Sequence, residues 1–575
     1  MKLLELFKEL SLHPKNAAEL KALILQLAVQ GKLTAKWREE NPDVEPASEL
    51  LKKIQVEKGR LVNEKKIKRD NTLLPTISDE MPFKLPKSWM WCKMIDICKL
   101  ITDGTHHTPK YQNDGIPFLS VKDMSGGFLN FENTRFVSKE THKELMKRCH
   151  PEKNDILLTK VGTTGIAISI DTDREFSIFV SVALLKIFSN HLFSKFLEYC
   201  INSPFIKLQS EEGTEGVGNK NLVLRKIKAF DIPLPPLKEQ HAIVTTVNQL
   251  FVEVEQLEQL TKERIQLKHN FAASALHRLV KAGNINGEWA AVQQHFHTFF
   301  NEKPNVKKLR ETILQLAVQG KLTTHWRKEN PGVEPATELL KRITAEKQEL
   351  VNNGKIKKEK PLPPVKDDEI PFELPEGWVW CRLGEVIRFM AYGTSQKTND
   401  DYKQVPVLRM GNISSDGKLN FNNLKYIPKN HKDLPGLYLA NGDIVFNRTN
   451  SYELVGKSGV FWGEDKSFTL ASYLIKVSVF LSHVLPDYLN LYITSPVCRK
   501  TQIEPEITAQ TNQANFSGSK LKNVYCPIPP TKEQQAIVTT VNILMALCDA
   551  LEQELGQQES RVEELMRSCV REVME

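Results

Sequence analysis

The chain has 575 residues, enough for several domains that each bury a core. Its 78 basic and 70 acidic residues leave a net charge of +8, so any nucleic-acid binding must use local patches instead of a global field. No uninterrupted apolar run reaches the roughly 18 residues of a membrane helix. The first residues lack a signal-peptide cleavage site. The nine cysteines are scattered singly. We therefore expect a cytoplasmic protein with free thiols and no disulfide frame or zinc site.

A stretch of 35 residues occurs twice in the chain. Ile24–Lys58 and Ile313–Lys347 align without a gap and share 27 identical positions at an offset of 289 residues. This period is too long for a solenoid repeat and suits a whole domain with its connectors. The sequence therefore predicts an internal duplication.

Each copy begins with helical patterns. Apolar residues at helical spacing predict a helix from about Asn16 to Gln30, and Gly31 and Gly320 stand where a helix C-terminal glycine belongs. A charged helical segment then runs into the basic stretch Lys65–Arg69, which is either a nucleic-acid patch or a solvated helix face with a linker. The acidic residues Glu57 and Glu64 dilute the charge and favour the linker.

A divergent domain follows each Pro-rich linker. The alternating aromatics Trp89-Met90-Trp91 and Trp378-Val379-Trp380 predict a first strand with one buried face. Residues 95–231 and 385–525 then share a layout but little sequence. We expect each to be a mixed α/β domain of about 150 residues, with strands predominating in its first half.

Similarity returns at Pro233 and Pro527, where a Pro-x-Pro-Pro-x-x-Glu-Gln motif begins a long helix in each copy. Leu237–Leu279 contains no Gly or Pro, so this helix could extend about 65 Å. Apolar residues follow at alternating steps of four and three, which is typical of a coiled-coil seam and favours pairing of the two long helices. The alternative is that each helix packs on its own domain. The seam residues are Ile243, Val247, Leu250, Val254 and Leu257, and Ile537, Val541, Leu544, Cys548, Leu551 and Leu555.

The predicted organisation is the same series of segments twice over. It comprises an N-terminal scaffold helix (1–35), a charged, Pro-rich linker (36–80), a first domain (81–235), a long central helix (236–283), a connector with the repeated helix (284–320), a second linker (321–369), a second domain (370–529) and a long C-terminal helix (530–575).

This arrangement resembles, over essentially the whole length, the specificity subunit of type I restriction–modification systems. The resemblance is carried by Leu85–Trp89 and Leu374–Trp378 opening the domains, by the two Pro-x-Pro-Pro-x-x-Glu-Gln motifs, and by Gly-Lys-Leu-Thr at Gly31 and Gly320. Each motif is weak alone, but in this order, twice, they are specific.

The resemblance implies an α+β fold in which two mixed α/β target recognition domains are separated by a pair of long antiparallel coiled-coil helices, with a pseudo-two-fold internal repeat. Each domain would grip one half of a bipartite site in double-stranded DNA, and the helices would set the spacer. Two methyltransferase subunits would dock on the equivalent halves, and restriction (helicase-nuclease) subunits would join them. The chain itself would bind no cofactor and carry no catalysis.

Motifs for catalysis or metal binding are missing or incomplete. Asn41-Pro42-Asp43 is not the Asn/Asp-Pro-Pro-aromatic motif of amino-methyltransferases, and Gly456-Lys457-Ser458 lacks the first glycine of a phosphate loop. His106-His107 has no further ligands at metal spacing. Asp155 and Lys160 could imitate a nuclease core. The alternatives are a protein-interaction scaffold with two variable binding domains or, disfavoured by these motifs, a self-contained DNA methyltransferase or nuclease.

Candidate DNA contacts are basic, amide and hydroxyl side chains in matched loops, because Arg and Lys read guanine, Asn and Gln read adenine, and Lys, Arg, Ser and Thr grip phosphate. The family pattern favours a basic residue at Arg409, where the first copy has Ser120. The first domain offers Lys110, Tyr111, Lys122, Lys160, Thr163, Thr164, Asn219, Lys220 and Asn221, and the second offers Ser395, Gln396, Lys397, Arg409, Asn412, Arg448, Asn450, Tyr452, Gln510, Asn512 and Gln513.

Overall fold

The structure is a computed structural model that describes residues 16–69, 81–216, 220–509 and 513–574. The chain divides into two compact units. Unit 1 comprises residues 1–265 and 559–575, and unit 2 comprises residues 266–558. Each long helix therefore begins in one unit and has its last residues in the other.

Unit 1 starts with helices, continues with short strands and ends in the first long helix. Its elements in chain order are α1 (Asn16–Val29), α2 (Ala35–Glu40), α3 (Ala47–Asn63), β1 (Met90–Lys93), β2 (Cys98–Asp103), β3 (Ile116–Leu119), β4 (Arg135–Val137), α4 (Lys139–Met146), β5 (Ile156–Thr159), β6 (Ala167–Ser169), β7 (Ser177–Ile178), β8 (Val182–Ile187), α5 (Ser194–Asn202), α6 (Pro204–Glu212), β9 (Thr214–Glu215), β10 (Asn221–Leu222), α7 (Leu224–Lys228), β11 (Asp231–Leu234) and α8 (Leu237–Lys281), whose residues from Gln266 onward belong to unit 2.

Unit 2 repeats this order after two connecting helices. Its elements are α9 (Ile285–Gln294), α10 (Phe296–Phe299), α11 (Lys303–Val318), α12 (Thr324–Glu329), α13 (Ala336–Asn352), β12 (Val379–Arg382), α14 (Leu383–Val386), β13 (Ile387–Tyr392), β14 (Val405–Leu408), β15 (Lys425–Ile427), α15 (Leu434–Leu437), β16 (Asp443–Asn447), β17 (Thr449–Asn450), β18 (Ser458–Phe461), β19 (Thr469–Leu470), β20 (Leu474–Val479), α16 (Pro486–Thr494), α17 (Pro496–Cys498), β21 (Thr508–Ala509), β22 (Ala514–Asn515), α18 (Gly518–Asn523), β23 (Tyr525–Ile528) and α19 (Thr531–Met574), whose residues from Glu559 onward belong to unit 1.

The sheets of the two domains have the same topology. An antiparallel four-stranded sheet has the order β2-β8-β5-β6 in unit 1 and β13-β20-β16-β18 in unit 2. A three-stranded sheet has the order β4-β3-β7 or β15-β14-β19, and the pairs β1-β11 and β12-β23 close each domain. The prediction of two mixed α/β domains in an internal repeat is confirmed.

One of the two inner strands of each four-stranded sheet, β8 or β20, has apolar residues buried on both faces. In β8, Leu185 and Ile187 face the core shared with α1 and the start of α8, whereas Val182 and Leu184 face a second, smaller core. Successive side chains of a strand point to opposite faces, so the apolar residues of this strand serve two cores. The same strand in unit 2, β20, divides its residues in the same way between two cores.

Three of the repeated motifs meet at one buried carboxylate in unit 1. Glu239, at the start of α8, is 0% exposed and accepts hydrogen bonds from Trp89 Nε1 at 2.9 Å, Thr34 Oγ1 at 2.7 Å and Arg38 Nη1 at 2.5 Å. A buried charge needs such partners, because its desolvation is otherwise uncompensated. Gly31 has a φ of +69°, and a Cβ there would lie 2.7 Å from Pro86 Cγ.

Unit 2 repeats this arrangement around Glu533, which is 1% exposed. Trp378 Nε1 donates to it at 2.8 Å, Thr323 Oγ1 at 2.6 Å and Arg327 Nη1 at 2.5 Å. The best-preserved residues of the sequence are therefore those that join the repeated helix, the start of the domain and the start of the long helix. Their role is structural.

Both long helices are continuous. The first runs from Leu237 to Lys281, and the second runs from Thr531 to Met574 without interruption at Gly556. By length and composition alone, the segment Thr531–Leu565 is long and apolar enough to cross a membrane. Core helices of soluble proteins can be equally long and apolar, and this helix contributes Ile537, Val541 and Cys548 to the core of unit 2.

Candidate DNA-binding surface

Several loops that carry predicted contact residues of unit 2 leave one end of its four-stranded sheet. The last residue of β13, Tyr392, pairs with Ile475, and the last residue of β16, Asn447, pairs with the adjacent Leu474. The carboxyl ends of β13 and β16 therefore lie beside the start of β20. The loops that leave these ends carry residues 393–397, 448–456 and 471–473, and β22, which follows Gln513, pairs with β17.

The same end of the sheet in unit 1 is built from the corresponding strands. Asp103 ends β2 and pairs with Ala183, and Thr159 ends β5 and pairs with Val182. The loop after β5 contacts the segment at Lys220, whose carbonyl accepts the Gly162 N–H at 3.0 Å. Residues that are far apart in sequence thus form one surface in each unit.

Most of the predicted contact residues that the structure describes are accessible to solvent. Those that are exposed are Lys110, Lys122, Thr163, Lys220, Ser395, Gln396, Lys397, Tyr452 and Gln513, and those that are half-buried are Tyr111, Thr164, Asn221, Arg409, Arg448 and Asn450. Asn219, Gln510 and Asn512 lie outside the described residues.

Two of the predicted contact residues are buried and bind other residues of their own domains through their polar side-chain groups. Lys160 is only 5% exposed, and its Nζ lies 3.0 Å from Asp103 Oδ2. Asn412 is 3% exposed, and its amide donates to the carbonyls of Asn420 and Asn422 and accepts the Arg409 N–H. The side-chain groups needed to read a base are thus already used, so both residues are removed from the set of proposed DNA contacts.

The residues that contact Lys160 and its counterpart Arg448 were not among those predicted from the sequence. Asp103 is buried and pairs with Arg148 Nη2 at 2.8 Å and His106 Nε2 at 3.2 Å as well as with Lys160. At the equivalent strand end of unit 2, Tyr392 lies under the Arg448 guanidinium, 4.9 Å from ring centroid to Cζ. Both are the last residues of an edge strand, a signal that the aligned strand ends would have provided.

The Asp155 and Lys160 side chains do not form a nuclease-like pair. The whole of β5 separates them, and Asp155 binds Lys186 Nζ at 2.8 Å at the opposite end of the strand. Burial raises the pKa of Asp155, and the Lys186 ammonium partly offsets that effect. Within the described ranges, no three His, Cys, Asp or Glu side chains are grouped so as to hold a metal ion.

Comparisons with known proteins agree on one family. The family model described as "Type I restriction modification DNA specificity domain" matches residues 86–267 and again residues 375–558. The chain is 32% identical to the type I restriction enzyme EcoAI specificity subunit of Escherichia coli over 553 residues, which cover 93% of this chain and 90% of that protein.

A second relative is also a specificity subunit, and one similar solved structure is that of an HsdS subunit. The EcoEI specificity subunit of Escherichia coli is 30% identical over 571 residues, covering 93% of this chain and 90% of the relative. The crystal structure of the HsdS subunit from Thermoanaerobacter tengcongensis superposes with a TM-score of 0.41 at 16% identity, covering 87% of this chain and 99% of that one. The family model and the two sequence relatives together establish the family of this chain. The chain belongs to the family of type I restriction–modification DNA specificity subunits.

Proposed function

We propose that this chain is the subunit that selects the DNA sequence for a type I restriction–modification complex. Each domain reads one half of a bipartite site, and the long helices set the spacer between the halves. As a specificity subunit the chain selects the target and does not carry out the chemistry. Since its ligand is chromosomal and invading DNA, we place it in the cytoplasm.

One observation carries this proposal. The two domains present the same backbone frame at the end of the four-stranded sheet but different side chains upon it. Lys160 O accepts the Leu222 N–H at 2.7 Å, and Arg448 O accepts the Phe516 N–H at 2.8 Å in the equivalent place. Because base identity is read by side chains while the backbone only positions them, two such surfaces suit two different half-sites.

The duplicated scaffold suits two copies of a partner. The buried clusters around Glu239 and Glu533 have matching contacts, so the helices that they hold offer equivalent surfaces in the two units. We propose that each unit docks one methyltransferase subunit there, and that restriction (helicase-nuclease) subunits join the assembled complex.

Methylation mapping tests the function directly. Host genomes with and without this gene would be sequenced for modified bases. We expect one bipartite motif to lose methylation when the gene is deleted and to regain it on complementation. If no motif disappears, the proposed function is wrong.

Binding to DNA separates a specificity subunit from a protein-interaction scaffold. The affinity of the full-length chain for random duplex would be measured between 50 and 200 mM salt. A protein that grips phosphates with Lys and Arg loses affinity steeply over that range because bound counterions are released. A scaffold has no such affinity to lose.

A further inference from the structure

We propose that Arg448, whose guanidinium lies over the Tyr392 ring, reads a guanine in the second half-site, and that Tyr392 is the residue that positions it. This inference rests on the proposed function, since it assumes that the end of the sheet in unit 2 faces DNA. It adds the chemical class of one base and the side chains responsible for reading it.

The first step is the geometry of the guanidinium. Its Cζ lies 4.9 Å from the centroid of the Tyr392 ring, so the cation lies over the ring face. A cation over a ring face is held there by electrostatic attraction. The N–H donors of an Arg guanidinium lie in one planar fork. Arg448 also continues from β16, which is buried throughout. The cation is therefore mounted on a rigid strand end.

The second step is the set of donors that the protein leaves available. Arg448 Nη1 reaches the Ser472 carbonyl at only 3.4 Å, and Nε is buried without an acceptor among the described residues. Nη1 has only this long hydrogen bond, and no described residue is shown to accept from Nη2, so we assign this end of the guanidinium to the ligand. A planar pair of donors matches the O6 and N7 acceptors of guanine in the major groove.

The third step is that Tyr392 is itself locked in place. Its hydroxyl accepts the Gly518 N–H at 2.9 Å. A Cβ at Gly518 would lie 2.9 Å from that oxygen and 2.8 Å from Met390 Cε, so a side chain there would displace the Tyr392 hydroxyl or the end of Met390. Tyr392 is 46% exposed, which leaves the Arg448–Tyr392 pair in contact with solvent.

Unit 1 provides the contrast. At the position of Tyr392 it has Asp103, and at the position of Arg448 it has Lys160, with Nζ and Oδ2 3.0 Å apart. A buried ammonium paired with a carboxylate is neutralised and has no planar fork. The same strand ends thus hold a guanine-reading group in unit 2 and an internal ion pair in unit 1.

A phosphate contact is the competing role, because Arg also binds phosphate in a bidentate manner. Exposed, mobile cations such as Lys397 suit the DNA backbone, whereas Arg448 is half-buried and fixed by a ring. The two roles differ in their consequences. A lost phosphate contact weakens binding to all sequences and lowers the salt slope by about one, whereas a lost base contact relaxes the preference at one position.

The experiment uses the full-length chain with its methyltransferase partner and the bipartite motif found by methylation mapping. Each guanine of the second half-site would be replaced in turn by 7-deazaguanine, which lacks the N7 acceptor. We expect one replacement to weaken binding by roughly 5- to 150-fold in the wild type. In Arg448→Ala the same replacement should have no further effect. The matched replacements in the first half-site should weaken both proteins equally.

Tyr392 is tested by its base preference. Tyr392→Phe keeps the ring and should keep the preference for guanine, whereas Tyr392→Leu should lose it while still binding random duplex with the wild-type salt slope. Lys160→Ala serves as the matched control and should leave the preference in the second half-site unchanged.

Two results would overturn the inference while leaving the proposed function intact. One is a second half-site in which every 7-deazaguanine effect is the same in wild type and Arg448→Ala. The other is an Arg448→Ala protein that loses affinity equally for all sequences, with a smaller salt slope. Failure to bind any bipartite motif would refute the proposed function itself.

Discussion

Replacing Glu239 by Gln should destabilise unit 1 and spare unit 2. The carboxylate accepts hydrogen bonds at both oxygens, from Arg38 and Thr34 at one and from Trp89 at the other. An amide has only one acceptor oxygen, so in either orientation its NH2 group faces an N–H donor. The substitution also removes the negative charge opposite the Arg38 guanidinium, which is 21% exposed.

The size of this effect follows from the burial of the group. Breaking one side of a buried ion pair typically costs about 3–5 kcal/mol. For a domain of this size each kcal/mol lowers the melting temperature by about 2–4 °C, so a loss of roughly 6–20 °C is expected. Hydrogen exchange would locate it. Amides of residues 25–40 and 87–93 should exchange faster, and those of residues 314–329 and 376–382 should not change.

Glu533→Gln is the matched variant and should give the opposite pattern, because Glu533 has the same three donors in unit 2. A loss of less than about 1 kcal/mol in the free energy of unfolding of Glu239→Gln would contradict this prediction. Equally faster exchange of both sets of amides in either variant would also contradict it.

Three further predictions concern backbone conformation, pH and spacing. Gly31→Ala should destabilise the protein by at least about 1–2 kcal/mol in denaturant titration, because φ is +69°. Gly59→Ala, on a helix with open space around it, should stabilise by about 0.5–1 kcal/mol, and equal effects of the two changes would contradict this. Burial lowers the pKa of His142, so at acidic pH the unfolded chain binds more protons than the folded one. The free energy of unfolding should therefore decrease as the pH falls below about 6.5. Exchange of amides 139–146 at pH 7.5 and 5.5, corrected for intrinsic rates, should show this loss in the wild type and a smaller one in His142→Gln. Deleting one heptad from each long helix should change the spacer of the methylated motif and leave both half-sites intact. An unchanged spacer would show that the long helices do not set the distance between the half-sites.

The sequence by itself determined the repeated organisation of the protein. Repetition of Gly31, Trp89 and Glu239 in Gly320, Trp378 and Glu533 marked the same scaffold twice, because each of these residues occupies a site that tolerates little else. The presence of the two long helices was equally readable, since helical periodicity is a local property of the chain.

Only the tertiary structure decided which polar residues are free to act. Lys160 and Arg448 look equivalent in sequence, as single cations after a buried strand. Their environments depend on the last residue of a strand two places along the sheet, Asp103 or Tyr392, more than 50 residues earlier in the chain. A buried carboxylate pairs with Lys160, whereas an aromatic ring lies beside the Arg448 guanidinium. Such pairing arises from strand register, which a local sequence pattern does not encode.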